Sequence, residues 1–353
     1  MDTALTVIIA VLVFGFLIFI HEFGHYITAR IFKVRIEEFS IGMGPRIFSR
    51  VSKKTGIRYS LALLPIGGFV AMPGENGEDE ALADDPDTFG KKPAWQRFIV
   101  TAAGAFVNIT AGFLAMILLT AMINIGDTTV RGFYRQEDTG YTVTSKDSGL
   151  MAGDEVIAID GKRVRIYDEL SYEIMRRGYE PIDVTVRRGG EVMTLFDVVF
   201  PTEEQSGQVF GIMDFAPQVV EKDLFTVLRY SWCKSILIVR MCFESIIDLI
   251  SGRYTFAAVS GPVGISSAIG DAAAQGFRSL LYIVVLISIN LGFMNLLPIP
   301  ALDGGRLLCI AIEMITRKRI PAKVEGVING VGLILLLGLS LVIMVKDVFQ
   351  LII

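Results

Sequence analysis

The chain has two histidines, His21 and His25, and they stand four residues apart in His21-Glu22-Phe23-Gly24-His25. On a helix, positions i and i+4 share a face roughly 6 Å apart, so both imidazoles reach one metal ion while Glu22 projects beside them. Neutral imidazole suits Zn²⁺, which in a hydrolytic site takes three protein ligands and keeps one position for a water whose pKa falls to about 7. Glu22 is placed to take that water's proton and return it to a leaving amine. The pattern is the H-E-x-x-H signature of metallohydrolases.

With no third histidine, the remaining ligand is a carboxylate or a cysteine. The best-placed donor lies in Asn295-Leu296-Leu297-Pro298-Ile299-Pro300-Ala301-Leu302-Asp303-Gly304-Gly305. Two prolines end the preceding helix and two glycines let the backbone approach closely, which offers the Asp303 carboxylate at the depth of the histidines. Cys309 and Glu313 are rival donors further along the chain, and a simple helix cap is the other use of Asp303.

These residues need a membrane to position them. Of 353 residues 52% are hydrophobic, and residues 4–20 carry no charge, which suits a first transmembrane helix that continues through His21 to Tyr26. An opening Asp2 and the absence of a cleavage-site pattern argue against a removable signal peptide. Further spans are expected over about 98–125, 280–297 and 327–345. Basic residues concentrate between spans one and two, from Arg30 to Arg97, and before span four, from Arg317 to Lys323. The positive-inside rule therefore puts both loops in the cytoplasm, and the termini and the 126–279 region outside. The acidic run Glu75, Glu78, Asp79, Glu80, Asp84, Asp85, Asp87 reads as a solvated linker. A net charge of −4 excludes a global basic surface for nucleic acid, and Cys233, Cys242 and Cys309 form no C-x-x-C and support no disulfide framework.

Between the spans, residues 140–200 read as a small soluble domain. Val156 and Ile159 lie on a strand, Leu170 and Ile174 share a helical face ending at Gly178, and Ile182, Val184 and Val186 alternate toward a turn at Arg188-Gly189-Gly190. This order and the GL-x-x-GD-x-I-x-x-x-DG-like spacing resemble a PDZ domain, which implies capture of an extended peptide at a sheet edge; a spacer or steric gate is the alternative use. From Ser231 to Ser251, Trp232, Ile236, Val239, Phe243, Ile246 and Ile250 recur at helical spacing beside a charged stripe of Arg240, Glu244 and Asp248. That is an amphipathic helix, lying on the membrane or packed on the bundle. The expected organisation is 1–125 (N-terminal membrane half), 126–220 (PDZ-like domain), 221–279 (amphipathic helix and connector) and 280–353 (C-terminal membrane half).

Together, H-E-F-G-H in a first span, N-x-x-P-x-P-x-L-D-G-G after a third, P-x-G-G-F-V-x-M-x-G-E between them and the PDZ-like region resemble the site-2 protease family of intramembrane metalloproteases, in particular its bacterial RseP-type members. The resemblance covers almost the whole chain. It implies a polytopic α-helical membrane protein of the bacterial inner membrane, with four transmembrane helices, a membrane-associated β-hairpin or loop and one extracytoplasmic PDZ-like α+β domain. It also implies Zn²⁺ held by His21, His25 and Asp303, Glu22 as general base, and cleavage in or beside a substrate's transmembrane segment. The implied substrates are an anti-sigma factor already trimmed by another protease or a remnant signal peptide. The chain has room for one PDZ domain where the best-known enterobacterial members carry two in tandem, and it carries Ala105 where the family's A-G-P-x-x-N motif has proline.

Substrate handling follows from hydrogen bonding. A helix must be unwound before its peptide bonds are cut, and unpaired backbone groups in hydrocarbon cost several kcal/mol each. Tyr59 to Met72, with Pro65-Ile66-Gly67-Gly68 at its centre, suits a hairpin or loop whose edge, around Gly67 and Gly68, pairs with the opened substrate. Asn295 offers one donor and one acceptor to a single peptide unit, or else bonds within the bundle. A non-catalytic PDZ-bearing scaffold with a vestigial metal site is the competing reading, disfavoured by the complete H-E-x-x-H; a metal transporter lacks the expected internal repeat.

Overall fold

The computed structural model describes residues 3–75, 85–135, 137, 140–205, 208–253 and 259–352. The chain divides into two compact units, Met1–Ala115 with Met241–Ile353, and Met116–Arg240.

The first unit is built on apolar helices. Four are long and apolar enough to cross a membrane: Ala4–Ile31, Ala94–Met122, Phe277–Leu296 and Val324–Phe349. They belong to α1 (Thr3–Ile31), α2 (Ala94–Met122), α6 (Phe277–Leu296) and α8 (Ala322–Ile352). Between helices in lipid, close packing replaces the hydrophobic effect, and small residues allow it. A Cβ on Gly24 would stand 2.6 Å from the Ala103 carbonyl oxygen, and one on Gly292 would stand 2.6 Å from that of Ala105. α7 (Asp303–Thr316) follows the proline-rich break. The acidic run is only partly described: Asp85 pairs with Arg35 at 3.0 Å and Asp87 with Lys92 at 2.7 Å. Glu78, Asp79, Glu80 and Asp84 lie outside the described residues.

Three elements differ from the sequence reading. First, Tyr59–Met72 is not itself a hairpin. β2 (Arg58–Ala71) is one strand whose partner is β1 (Glu38–Val51), a segment the alternation did not flag. The two pair in more than one run, since Phe39 faces both Tyr59 and Val70 while Ser49 faces Ser60 and Val51 faces Arg58. Each strand therefore bends on itself, at Gly42 and Gly44 (φ +86° and +90°) and at Gly67 (φ +87°), where glycine relieves the strain. Glu38 ties the runs together, accepting from Arg46 at 2.8 and 2.7 Å and from Ser60. Arg46 holds the Glu38 carboxyl below its usual pKa range. Second, Pro262–Gln275 forms a helix, α5, that its small residues hid. Its first turn is clamped by Asp347 of α8, which accepts from the Gly261 and Gly264 amides at 2.8 and 3.0 Å.

Third, the amphipathic helix, α4 (Leu224–Ile250), starts earlier than Ser231, and its charged side chains, whose direction the sequence left open, are partly turned inward. Arg240 and Lys234 turn inward to Glu173 (2.5 Å) and Asp168 (3.0 Å), whereas Trp232, Phe243 and Ile250 are exposed.

In the second unit a sheet runs β10-β3-β4-β6-β7, with β5 (Lys162–Arg163) on β4. Its strands are β3 (Gly126–Phe133), β4 (Glu155–Ile159), β6 (Ile182–Arg188), β7 (Glu191–Val198) and β10 (Phe215–Val219). β8 (Thr202–Gln205) and β9 (Gln208–Gly211) pair separately. α3 (Tyr167–Arg177) buries Leu170 and Ile174 against Val156, Val184, Val186 and Phe215. Gly189 and Gly190, at φ +58° and +93°, turn β6 into β7, as the sequence spacing requires.

Candidate metal centre

His21 and His25 lie on one face of α1, both buried, with their ring centroids 4.9 Å apart. Asp303 opens α7, and its Oδ2 stands 2.9 Å from His21 Nε2 and 3.3 Å from His25 Nε2. The ligand atoms of the three residues all lie within 4.8 Å of one another, and among the described residues they are the one cluster of this kind.

Local sequence explains how Asp303 arrives there. α6 stops at Leu296, before Pro298 and Pro300. Ala301 adopts φ +71°, and its amide donates to Asn329 Oδ1 of α8 at 3.2 Å, so the fourth span pins the break. A Cβ at Gly304 would collide with the Leu297 carbonyl, and one at Gly305 would stand 2.7 Å from the Ile299 oxygen. The L-D-G-G glycines are therefore the space into which the broken segment folds.

α2 supplies the back wall. A Cβ on Gly104 would strike His25 Nε2 and stand 2.8 Å from His21 Nε2, so only glycine lets α2 pass behind both rings. His25 Nδ1 donates to the Val100 carbonyl at 2.8 Å, which leaves its Nε2 as the lone-pair nitrogen. Asn108 lies 3.3 Å from His21 Nδ1, while its Oδ1 is buried with no partner. With the amide turned over, Oδ1 accepts from Nδ1–H and His21 Nε2 is also free to ligate. Two imidazole nitrogens and a carboxylate oxygen match zinc in donor type, and the orphaned Asn108 oxygen matches the tautomer that ligation requires.

Glu22 is half-buried beside the pair, and the Val70 amide of β2 donates to its carboxylate. Gly68 sits against it, for an added Cβ there would be 3.1 Å from Glu22 Cγ and 3.0 Å from the Ser40 oxygen. Gly67 lies at the bend, under the Met43 side chain. Asn295, in the last turn of α6, is half-buried and has no hydrogen-bond partner among the described residues. Of the rival ligands, Glu313 is taken by Arg97 at 2.5 Å, and Cys309 lies outside the cluster. A cavity of about 410 Å³ reaches Asp303. At its wall Arg306 pairs with Glu75 and, at 3.3 Å, with Glu325. Burial raises the Glu75 carboxyl pKa against the lowering pull of Arg306.

Gly104 and Asn108 belong to the same A-G-P-x-x-N-like motif as Ala105, and sequence alone gives no task to either of them, nor to Gly24, Val100 or Asn329. The readable signal was the four-residue spacing of Gly104 and Asn108, which matches that of His21 and His25.

The family model of peptidase family M50 matches residues 9–339, and the chain belongs to that family. It is similar to a protein of Fusobacterium nucleatum whose name marks it as a candidate zinc metalloprotease, at 36% identity over 98% of this chain and 99% of the relative. It is also similar to the zinc metalloprotease RasP of Geobacillus kaustophilus, at 29% identity over 98% of each. A third relative, the regulator of sigma-W protease RasP of Bacillus subtilis, is 26% identical over 98% of this chain and 99% of its own length.

Proposed function

We propose that this M50 peptidase is a zinc-dependent endopeptidase that cuts a peptide bond in or next to the transmembrane segment of a membrane protein. The observation that carries the reading is the convergence of Asp303 with His21 and His25, ligand atoms within 4.8 Å, the two histidines standing on a helix apolar enough to span a bilayer. Ionisable side chains at such depth are costly and are kept for function.

In this reading His21, His25 and Asp303 hold the zinc. When bound, zinc lowers the pKa of a water to about 7 and polarises a carbonyl. Glu22 takes a proton from the attacking water and passes it to the leaving amine, and the Val70 amide keeps its carboxylate oriented. Val100 and Asn108 fix the imidazole tautomers. The run of β2 around Gly67 and Gly68 lends backbone partners to the unwound substrate, and Asn295 serves one further peptide unit. Water enters through the cavity at Asp303 and Arg306.

The substrate class is an anti-sigma factor or a remnant signal peptide; the name of the Bacillus subtilis relative supports the first. The basic loops support a topology with the site near the cytoplasmic side and the 126–220 domain outside the bacterial inner membrane. The sheet and α3 of that domain support a PDZ-like module that takes an extended peptide. The test is a comparison of membrane peptides in cells carrying Glu22→Gln and in wild-type cells. Accumulation of uncut transmembrane peptides in the variant is expected, and identical peptide profiles would remove the activity.

A further inference from the structure

We propose that the Met116–Arg240 unit carries a binding cleft for the headgroup of an anionic phospholipid, beside the end of the second span. The cleft has a volume of about 580 Å³ and is walled by Arg163, Arg165, Arg187 and Arg229, with Asp127 and Glu155. Arg187 is engaged by Glu155 at 2.5 Å. Arg163, Arg165 and Arg229 are exposed and form no ion pair among the described residues. The remaining carboxylate, Asp127, already accepts from the Thr129 amide at 2.9 Å. Four guanidinium groups against two carboxylates leave an excess of positive charge in a concave site. Such groups bind phosphate oxygens in a forked geometry.

The depth of the cleft points to lipid. Ser231 of α4 hydrogen-bonds Thr120 at 3.0 Å, inside the apolar span that ends at Met122. Lys222 caps that span's end, donating to the Ala121 and Ile123 carbonyls at 2.9 and 3.2 Å. α4 therefore begins at the rim of the hydrocarbon. Its Phe225, Leu228, Trp232 and Ile236 are exposed there, whereas Tyr230 and Lys234 turn inward to Asp168. Apolar residues outside and charges inside are what acyl chains select, and tryptophan favours the headgroup boundary. Arg229, two residues before Ser231, joins this surface to the cleft. An acyl chain along α4 and a headgroup among the arginines would satisfy both surfaces with one molecule.

The test uses the full chain in lipid nanodiscs. The protein has two tryptophans, so Trp95→Phe leaves Trp232 as the reporter. Brominated phosphatidylglycerol is supplied as the minority lipid in phosphatidylcholine, and in a second sample brominated phosphatidylcholine replaces it. Quenching of Trp232 is expected to be about twofold or more stronger with the brominated anionic lipid, because local charge enriches it. Arg163→Gln, Arg165→Gln and Arg229→Gln together should bring the two samples to parity, and the corresponding Lys triple should restore the preference. Equal quenching in the arginine protein, or a preference that survives the Gln triple, would overturn the proposal. Loss of the preference in inorganic phosphate at constant ionic strength would reassign the cleft to a soluble anion. An Arg-dependent shift of Trp232 emission by hexaglutamate in pure phosphatidylcholine would reassign it to an acidic peptide.

Discussion

Asn108 of the second span faces His21 of the first, amide to Nδ1, at 3.3 Å, and its own Oδ1 is buried and unpaired. As placed, the amide nitrogen donates, so His21 carries its proton on Nε2 and gives it to Asp303 at 2.9 Å. Zinc ligation needs the opposite tautomer and the turned amide. Asn108→Leu, which keeps the volume and removes the acceptor, should lower zinc affinity about 10–100-fold, as loss of a ligand's hydrogen-bond partner commonly does. Asn108→Asp, which still accepts, should recover most of it. Chelator competition on the purified proteins measures both, and equal affinities across the three would show that Asn108 only packs.

The convergence of His21, His25 and Asp303 could be anticipated from the chain, and the reason is local. Two histidines at i and i+4 on an uncharged helix leave few alternatives, and a Pro-rich break ahead of Asp303-Gly304-Gly305 announces a close backbone approach. What the sequence hid was set by partners distant along the chain. β1 is bent by Gly42 and Gly44 so that no period-two alternation survives along it. α5 is made of small residues with no continuous apolar stripe. The polarity of α4 was legible but its orientation was not, because Arg240 and Lys234 find Glu173 and Asp168 on α3 and so face inward. A hydrophobic face read from sequence does not name the neighbour it meets, and on α4 Trp232, Phe243 and Ile250 stay exposed.

Gly104 supplies a steric prediction. Because a methyl there would collide with both imidazole nitrogens, Gly104→Ala should abolish stoichiometric zinc binding although the ligands are intact. Gly338→Ala, in a span position with nothing within 4 Å of an added Cβ, should bind zinc normally. Metal analysis of the two variants checks the contrast. Full zinc content in Gly104→Ala would mean that α2 moves away at little cost.

The third ligand is tested by separating loss of metal from loss of fold. Asp303→Ala leaves two protein ligands and should retain almost no zinc. Glu313→Gln and Cys309→Ser should keep it. Glu313→Gln should nevertheless destabilise, since Arg97 is 6% exposed and its partner stands at 2.5 Å; stranding a buried charge costs roughly 3–5 kcal/mol. Zinc content and thermal unfolding, measured on the same preparations, report the two effects. Zinc retained in Asp303→Ala and lost in Glu313→Gln would move the ligand to Glu313.

In the proposed mechanism Gly68 joins substrate handling to the general base. Its place between the Ser40 carbonyl and Glu22 leaves no room for a side chain, so Gly68→Ala should slow cleavage by displacing Glu22 while zinc content stays normal. That loss should be the same for every substrate. Gly68→Pro adds a second defect, because proline also removes a backbone donor from the run of β2 that would pair with an unwound substrate. Its extra loss over Gly68→Ala should be large for a substrate with a stable transmembrane helix. For one with Gly or Pro at the cut site it should be smaller, since that helix costs less to open by about 1–3 kcal/mol per such residue. Cleavage rates of the two substrates by the two variants, each normalised to zinc content, give the comparison. If the Pro and Ala variants lose the same activity on both substrates, β2 contributes only the space beside Glu22 and lends no hydrogen bonds to the substrate.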